Sequence, residues 1–162
     1  MTETNRIFEA EIDNPTEGAV AHDIEQERKV AIYDLCAGNT FAIVPRGGRQ
    51  PPVGPYKLLL RLGENHAVFD IRTQTGSEIL AIHMSMAQFQ ELLKSYGSVC
   101  RQYFDAVRSR PRDVIEQTDR IRRVIHDQGA ERLLERLSGK IETDSDTARR
   151  LFTLLFAAQP NR

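Results

Sequence analysis

The chain has 162 residues, 40% of them hydrophobic and 28% charged, which is typical of one soluble globular domain. The net charge of −1 argues against a general attraction to nucleic acid or to an anionic membrane. No apolar run approaches the roughly 20 residues that cross a bilayer, and the first residues lack the basic and apolar segments of a signal peptide. We therefore predict a cytoplasmic protein whose two cysteines, Cys36 and Cys100, are reduced.

The first half of the chain carries the predicted strands. They cover residues 7–12, 40–44, 56–62, 67–72 and 78–84. The first strand has a polar face and is expected at an edge of the sheet, whereas the last is apolar on both faces and is expected in its centre. One early helix lies between the first two strands, with Asp23 as its predicted N-cap and Gly38 near its end.

The third and fourth predicted strands form a hairpin around a two-residue loop at Glu64 and Asn65. One register turns all the apolar side chains of one face toward the core, and a slip of one residue would lose that agreement. The predicted pairs are Leu58 with Ile71, Leu60 with Phe69, and Leu62 with Ala67.

After the last strand the apolar period changes from that of strands to that of helices. The predicted helices cover residues 89–107, 111–129, 131–137 and about 146–158. Phe104 and Val107 are counted on the apolar face of the first, and Gly129 is expected to end the second. Asp144 or Ser145 is expected to cap the last helix.

Strands that precede helices favour an α+β fold over alternating strand and helix units. We predict one domain over residues 1–162, mainly sheet over 5–84 and helical over 85–158. The sheet is expected to have four or five strands, mainly antiparallel. One early helix and a C-terminal helical half are expected to pack on one face of this sheet.

His126 is the histidine with the most distinctive neighbours. It is expected near a helix C-terminus, where the helix dipole favours a cationic imidazole, and Asp127 follows it. A capping role explains this placement better than catalysis does. His126 and Asp127 therefore form only an alternative ligand site, with Arg149 and Arg150 as anion-binding groups. We predict no catalytic residue, no cofactor and no metal, because none of the four histidines has a zinc-ligand spacing.

Residues 101–123 contain seven arginines and four acidic residues. Pairing of Glu116 with Arg120 and of Asp119 with Arg123 across one helical turn would neutralise part of this face. A dedicated nucleic-acid surface carries a stronger excess of basic residues with aromatic residues among them. RNA binding by these arginines is therefore an alternative and not the leading prediction.

The C-terminal helix is the most apolar segment of the chain. From Leu151 to Ala158 only Thr153 is polar, and a helix that is apolar all round must be covered on every side. One interpretation places Phe152 and Phe156 on an interaction surface rimmed by Arg149 and Arg150. The other places the helix in the centre of the domain.

Several motifs are similar to those of one family of small proteins. They lie at residues 31–35, 54–56, 69–72, 125–129, 139–142 and 146–154, of which the last, D-T-A-R-R-L-F-T-L, is the most specific. On these residues the chain resembles the uncharacterised protein family number two hundred and sixty-two of alphaproteobacteria, from about residue 5 to 157. The resemblance implies a small soluble bacterial protein and brings no assigned activity, cofactor or partner.

We expect a non-enzymatic cytoplasmic protein with a regulatory or adaptor role that acts through protein–protein contacts. Its partner is another protein or a second copy of the chain, with no membrane, metal or nucleic-acid partner expected. The alternative is binding of RNA or a ribonucleoprotein through the arginines of residues 101–123. A second alternative is a small-ligand site or an enzyme around His126, Arg149 and Arg150.

Overall fold

The computed structural model describes residues 4–14 and 18–159 of the chain. The strands are β1 (Ile7–Asp13), β2 (Phe41–Ile43), β3 (Tyr56–Leu62), β4 (His66–Arg72), β5 (Glu78–Ser85) and β6 (Ile141–Thr143). The helices are α1 (His22–Ala37), α2 (Gln90–Ser109), α3 (Arg112–Leu137) and α4 (Ser145–Ala157), and a 3-10 turn at Met86–Gln88 precedes α2. Within these residues, no helix is both long enough and apolar enough to span a membrane.

The main sheet has four strands in the order β1-β3-β4-β5. Strand β1 runs parallel to β3, and the other neighbours are antiparallel. Strands β2 and β6 form a separate two-stranded antiparallel sheet. The predicted α+β class, the mainly antiparallel sheet and the helical C-terminal half are confirmed.

The register of the β3–β4 hairpin is the predicted one. Leu58 lies opposite Ile71, Leu60 opposite Phe69, and Leu62 opposite Ala67. These six side chains are buried in the core. Burial of one complete face fixes the register, because any slip by one residue would turn the apolar side chains outward.

The opposite face of the sheet is polar and has its own charged centre. The side chain of Asp70 is only 6% exposed and lies 3.1 Å from the guanidinium of Arg61 and 2.9 Å from that of Arg72. A carboxylate that is removed from water needs charged or hydrogen-bonding partners. The two arginines supply them from either side of Asp70.

Strand β5 lies at an edge of the sheet, so the prediction of a central position is wrong. Its inward side chains Ile82 and Met84 are buried, while Ala81 and His83 are exposed. Apolar residues on both faces were the basis of the prediction. Ile79 and Leu80 are in fact only partly buried, and they account for that pattern without a second neighbouring strand.

Helix α3 continues through Gly129, so the predicted division into two helices at this residue is wrong. Gly129 is buried, and a Cβ atom built there would overlap the ring of Phe152 in α4. Its lack of a side chain therefore permits close packing of the two helices and does not terminate α3. The same correction places His126 well inside the helix instead of at its C-terminal end.

The two predicted helix caps have different outcomes. Asp144 caps α4, with its Oδ1 accepting a hydrogen bond of 2.8 Å from the backbone N–H of Thr147. Asp23 does not cap α1, which begins one residue earlier with Ala21 at the N-cap position and no side-chain cap. The first prediction is confirmed and the second is wrong.

Helix α4 forms the centre of the helical half and contacts both α1 and α3. Two arginines fix α1 to it. Arg28 of α1 donates to the carbonyls of Ala157 and Ala158 at 2.9 and 3.0 Å, and Arg150 of α4 donates to the carbonyl of Gly38 at 2.7 Å. These bonds hold α1 beside α4 and so position one wall of the site described next.

Candidate functional site

A groove of about 630 Å³ lies between α1 and α2, with α4 along its floor. Val30 and Asp34 belong to the α1 wall, Cys100 and Phe104 to the α2 wall, and Phe156 to the floor. Phe156 lies against Gly97 of α2, where a Cβ atom would approach its ring to 3.3 Å. The groove is mainly apolar, as binding sites in proteins usually are.

Both walls of the groove expose a large apolar side chain. Val30 is 58% exposed and Phe104 is 65% exposed, and Tyr33, one turn after Val30, is 72% exposed. Single exposed apolar residues are common and need no explanation. Val30 and Phe104 lie on the two sides of one concave surface, which is the arrangement expected of a binding surface.

Charged residues of opposite sign flank the two exposed side chains. On α1, Glu27 and Asp34 lie three residues before and four residues after Val30. On α2, Arg101 and Arg108 lie at the same distances from Phe104. Residues three and four apart lie on one helical face, so Val30 has acidic neighbours on its face of α1 and Phe104 has basic neighbours on its face of α2. We call these two faces the acidic wall and the basic wall; of the four charged residues, Glu27 and Asp34 line the groove itself.

Aromatic rings support the inner part of the groove. Tyr96 stacks on His126 with 5.3 Å between ring centroids and meets Phe156 edge-on at 4.9 Å. Burial raises the pKa of Tyr96 to about 12. The guanidinium of Arg122 lies 4.6 Å above the ring of Tyr103, and both side chains line the groove.

A smaller pocket of about 470 Å³ adjoins the groove and shares Ala31, Asp34 and Thr153 with its lining. Asp34, His126, Arg150 and Thr153 line it. The Nε2 atom of His126 lies 3.0 Å from the carbonyl oxygen of Arg149 and 2.9 Å from Oγ1 of Thr153. Since a carbonyl only accepts, Nε2 carries the proton and Nδ1 has the lone pair of the neutral ring. Burial lowers the pKa of His126 and favours this neutral form.

Arg149 does not reach into the pocket as a free anion-binding group. Its guanidinium pairs with Asp127 at 2.7 Å and with Asp146 at 2.5 Å. The carboxylate of Asp127 is therefore engaged by Arg149 and does not orient His126. The hydrogen bonds of His126 join α3 to α4 and have a structural role.

The predicted interaction surface of the C-terminal helix is only partly accessible. Phe152 is 0% exposed, so the interpretation that placed it on a surface is corrected. It packs edge-on against Tyr96 with 5.6 Å between centroids. Phe156 lines the groove floor and Arg150 lines the polar pocket, while Arg149 lies outside both.

The arginines of residues 101–123 are partly neutralised within the chain. Asp119 pairs with Arg123 as predicted, at 3.1 Å, and also with Arg122 at 2.5 Å. Glu116 pairs with Arg112 at 3.0 Å, in place of the predicted Arg120. Three of the seven arginines thus have acidic partners on the same helix.

The apolar periodicity of the sequence does not identify the exposed residues of the groove. It places Phe104 on the apolar face of its helix and does not distinguish Val30. The charge pattern of the sequence does distinguish them. Glu27 and Asp34 flank Val30, and Arg101 and Arg108 flank Phe104, with the same spacing and opposite charge.

The fold and the groove define a class of small α+β proteins with a four-stranded sheet, a central C-terminal helix and an open interhelical groove. Within it, this chain belongs to the Uncharacterised protein family (UPF0262), which matches residues 4–160. A UPF0262 protein of Cereibacter sphaeroides is 47% identical over 93% of this chain and 96% of the relative. Another, from Paracoccus denitrificans, is 45% identical over 96% of both chains.

A third relative, a UPF0262 protein of Jannaschia, is 48% identical over 92% of this chain and 94% of its own length. No solved structure is significantly similar to this chain. The family has no assigned activity.

Proposed function

We propose that this protein is a small non-enzymatic protein of the bacterial cytoplasm that acts by binding a protein partner through the groove between α1 and α2. The observation that carries the proposal is the exposure of Phe104 and Val30 on opposite walls of one concave surface, at 65% and 58%. Partly exposed aromatic side chains beside an apolar floor are typical anchors of protein interfaces. The flanking charges would form the polar rim.

The groove supports binding better than catalysis. The imidazole of His126 is held by Arg149 and Thr153, and the neighbouring carboxylate of Asp127 is paired with Arg149. A general base must lie within hydrogen-bond reach of the proton that it removes from a substrate, and the Nε2 atom of His126 is already engaged within the protein. In this arrangement the hydrogen bonds of His126 and the ion pair of Asp127 with Arg149 join α3 to α4.

RNA binding has less support in the structure than protein binding. Asp119 engages both Arg122 and Arg123, and each such pair reduces the charge available to phosphates. Affinity for RNA depends on those charges and on the counterions that they release. Any RNA binding by this protein is therefore expected to be weak at physiological salt.

The proposal is tested by affinity purification from a native bacterial host, with mass spectrometry of the co-purifying proteins. Wild-type protein is compared with Phe104→Ser and with the matched control Val124→Ser, which removes an apolar side chain 55% exposed on α3. We expect one or more proteins, including untagged copies of the chain, to be lost from Phe104→Ser alone. An identical set from all three baits would contradict a role for the groove.

A further inference from the structure

The charges and the exposed apolar residues of the two groove walls indicate which partner the groove binds. We infer that its occupant is the same groove of a second copy of this chain, so that the protein forms a two-fold symmetric dimer. This inference rests on the proposed function and names the partner of the same site. It uses the distribution of charge on the two walls, in addition to their exposed apolar residues.

The two walls are complementary to each other. The α1 wall presents Val30 between Glu27 and Asp34, and the α2 wall presents Phe104 between Arg101 and Arg108. Asp34, Arg101 and Arg108 are exposed. An apolar residue between two acids on one helix thus matches an apolar residue between two bases on the other, with the same spacing of three and four residues.

Within one chain, Val30 on the α1 wall and Phe104 on the α2 wall remain open to solvent. Val30 and Phe104 line the same groove, yet more than half of each side chain remains exposed. Removal of such apolar surface from water is favourable. A partner that enters the groove would supply that burial, and it would have to match an acidic and a basic wall at once.

A second copy of the chain satisfies this requirement. A two-fold axis along the groove carries α1 of each copy over α2 of the other, so that each acidic wall meets a basic wall. The apolar residues then meet in the middle. An interface of this kind uses one surface twice and closes at two copies instead of growing into a filament. Charges at its rim select the correct orientation and disfavour others.

The inference is tested by charge reversal and sedimentation equilibrium. One variant makes the α1 wall basic, Glu27→Lys with Asp34→Lys, and the other makes the α2 wall acidic, Arg101→Glu with Arg108→Glu. In each variant alone the two walls carry like charges, so we expect its dimer to be weakened at least about tenfold. In an equal mixture every facing pair of walls has opposite charges again, and a mixed dimer is expected to form.

The wild-type protein is expected to sediment with twice the chain mass of 18.4 kDa, and Phe104→Ser with the monomer mass. Val124→Ser changes an exposed residue of α3 outside the groove, and this variant should remain dimeric. Circular dichroism tests whether each variant is folded. If a double variant does not fold, the single change Asp34→Lys or Arg108→Glu is used in its place. Each single variant alone is then expected to weaken the dimer.

A wild-type chain that is monomeric at all concentrations would overturn the inference. So would a wild-type dimer that both charge-reversed variants retain, because the dimer would then use another face. If the wild type is monomeric while Phe104→Ser still loses a co-purifying protein, the proposed function stands and the second copy is excluded as its partner. If no binding of any kind depends on Phe104, both fail together.

Discussion

Gly129 of α3 lies directly against the ring of Phe152 of α4, so closely that a Cβ atom at position 129 would overlap the ring. Phe152 is fully buried at this point and also contacts Tyr96 and His126. The contact explains two features of the fold together. It keeps α3 continuous across a glycine, and it places the most apolar helix of the chain in the core.

The first prediction concerns this contact. Gly129→Ala should destabilise the protein by up to about 2 kcal/mol. Overpacking of a filled core costs about 1–3 kcal/mol, because neighbouring groups are forced to move, and the overlap with three atoms of the buried Phe152 ring favours the upper end of that range. The gain in helix propensity from alanine, about 1 kcal/mol, offsets part of this cost. Urea unfolding of both proteins measures the difference.

Gly97→Ala is the matched control, because its new Cβ would lie 3.3 Å from Phe156. That ring lines the groove and has room to shift, so a much smaller loss of stability is expected than for Gly129→Ala. An equal loss in the two variants would show that close packing at Gly129 is not the cause.

The second prediction separates the core of the C-terminal helix from the groove. Phe152→Ala should lower the free energy of unfolding by about 3–5 kcal/mol, because it opens a cavity in the core. Phe104→Ala removes a side chain that is 65% exposed and should change stability by only about 0.5 kcal/mol. Thermal and urea unfolding of both variants test this contrast. A large loss from Phe104→Ala would mean that its ring belongs to the core.

The third prediction concerns the N-terminal cap of α4. Asp144→Ala removes the acceptor for the N–H of Thr147 and should destabilise the protein by about 1 kcal/mol. Asp23→Ala is the control at the start of α1, where the structure has no side-chain cap. We expect a smaller effect there, and the ratio of the two losses in urea unfolding decides whether Asp144 acts as the cap.

The fourth prediction is a pH dependence of stability. Burial lowers the pKa of His126 below its ordinary value of 6.5. As the pH falls below 6.5, the unfolded chain takes up a proton that the folded chain does not. The free energy of unfolding should therefore decrease through this range, until the pH is below the folded pKa.

His126→Gln cannot take up that proton, so its stability should depend less on pH between neutral pH and pH 5 than that of the wild type. His83→Gln, the same substitution at an exposed position on β5, is the control for replacement of a histidine as such. Urea unfolding across this range makes the measurement. A wild type and a His126→Gln variant with parallel profiles would contradict the assigned cause.

The β3–β4 hairpin could be predicted from the sequence because its information is local. Alternation along two adjacent segments fixes which side chains share a face, and only one register agrees with it. The cap at Asp144 is local in the same way. The pairing of β2 with β6 could not be predicted, because two strands of three residues lie about 100 positions apart and carry no periodic signal.

The site was harder to predict than the fold, because exposure depends on what other elements cover. Phe104 lies on the same helix as the buried Tyr96 and follows the same apolar pattern, yet it remains exposed. Phe152 has the opposite outcome. One interpretation of the sequence places it on an interaction surface, but it is fully covered by packing against α3. Periodicity predicts which side of a helix is apolar, but not how far along the helix its neighbours extend.

Photo-crosslinking in living cells tests the central claim, that the groove binds protein, most directly. A photoreactive benzoylphenylalanine replaces Phe104 in one variant and Val124, which is exposed outside the groove, in the other. After irradiation we predict a discrete covalent protein adduct from position 104 and none from position 124. Adducts of equal yield at the two positions, or an adduct from position 124 alone, would contradict the assignment of the groove as the binding surface.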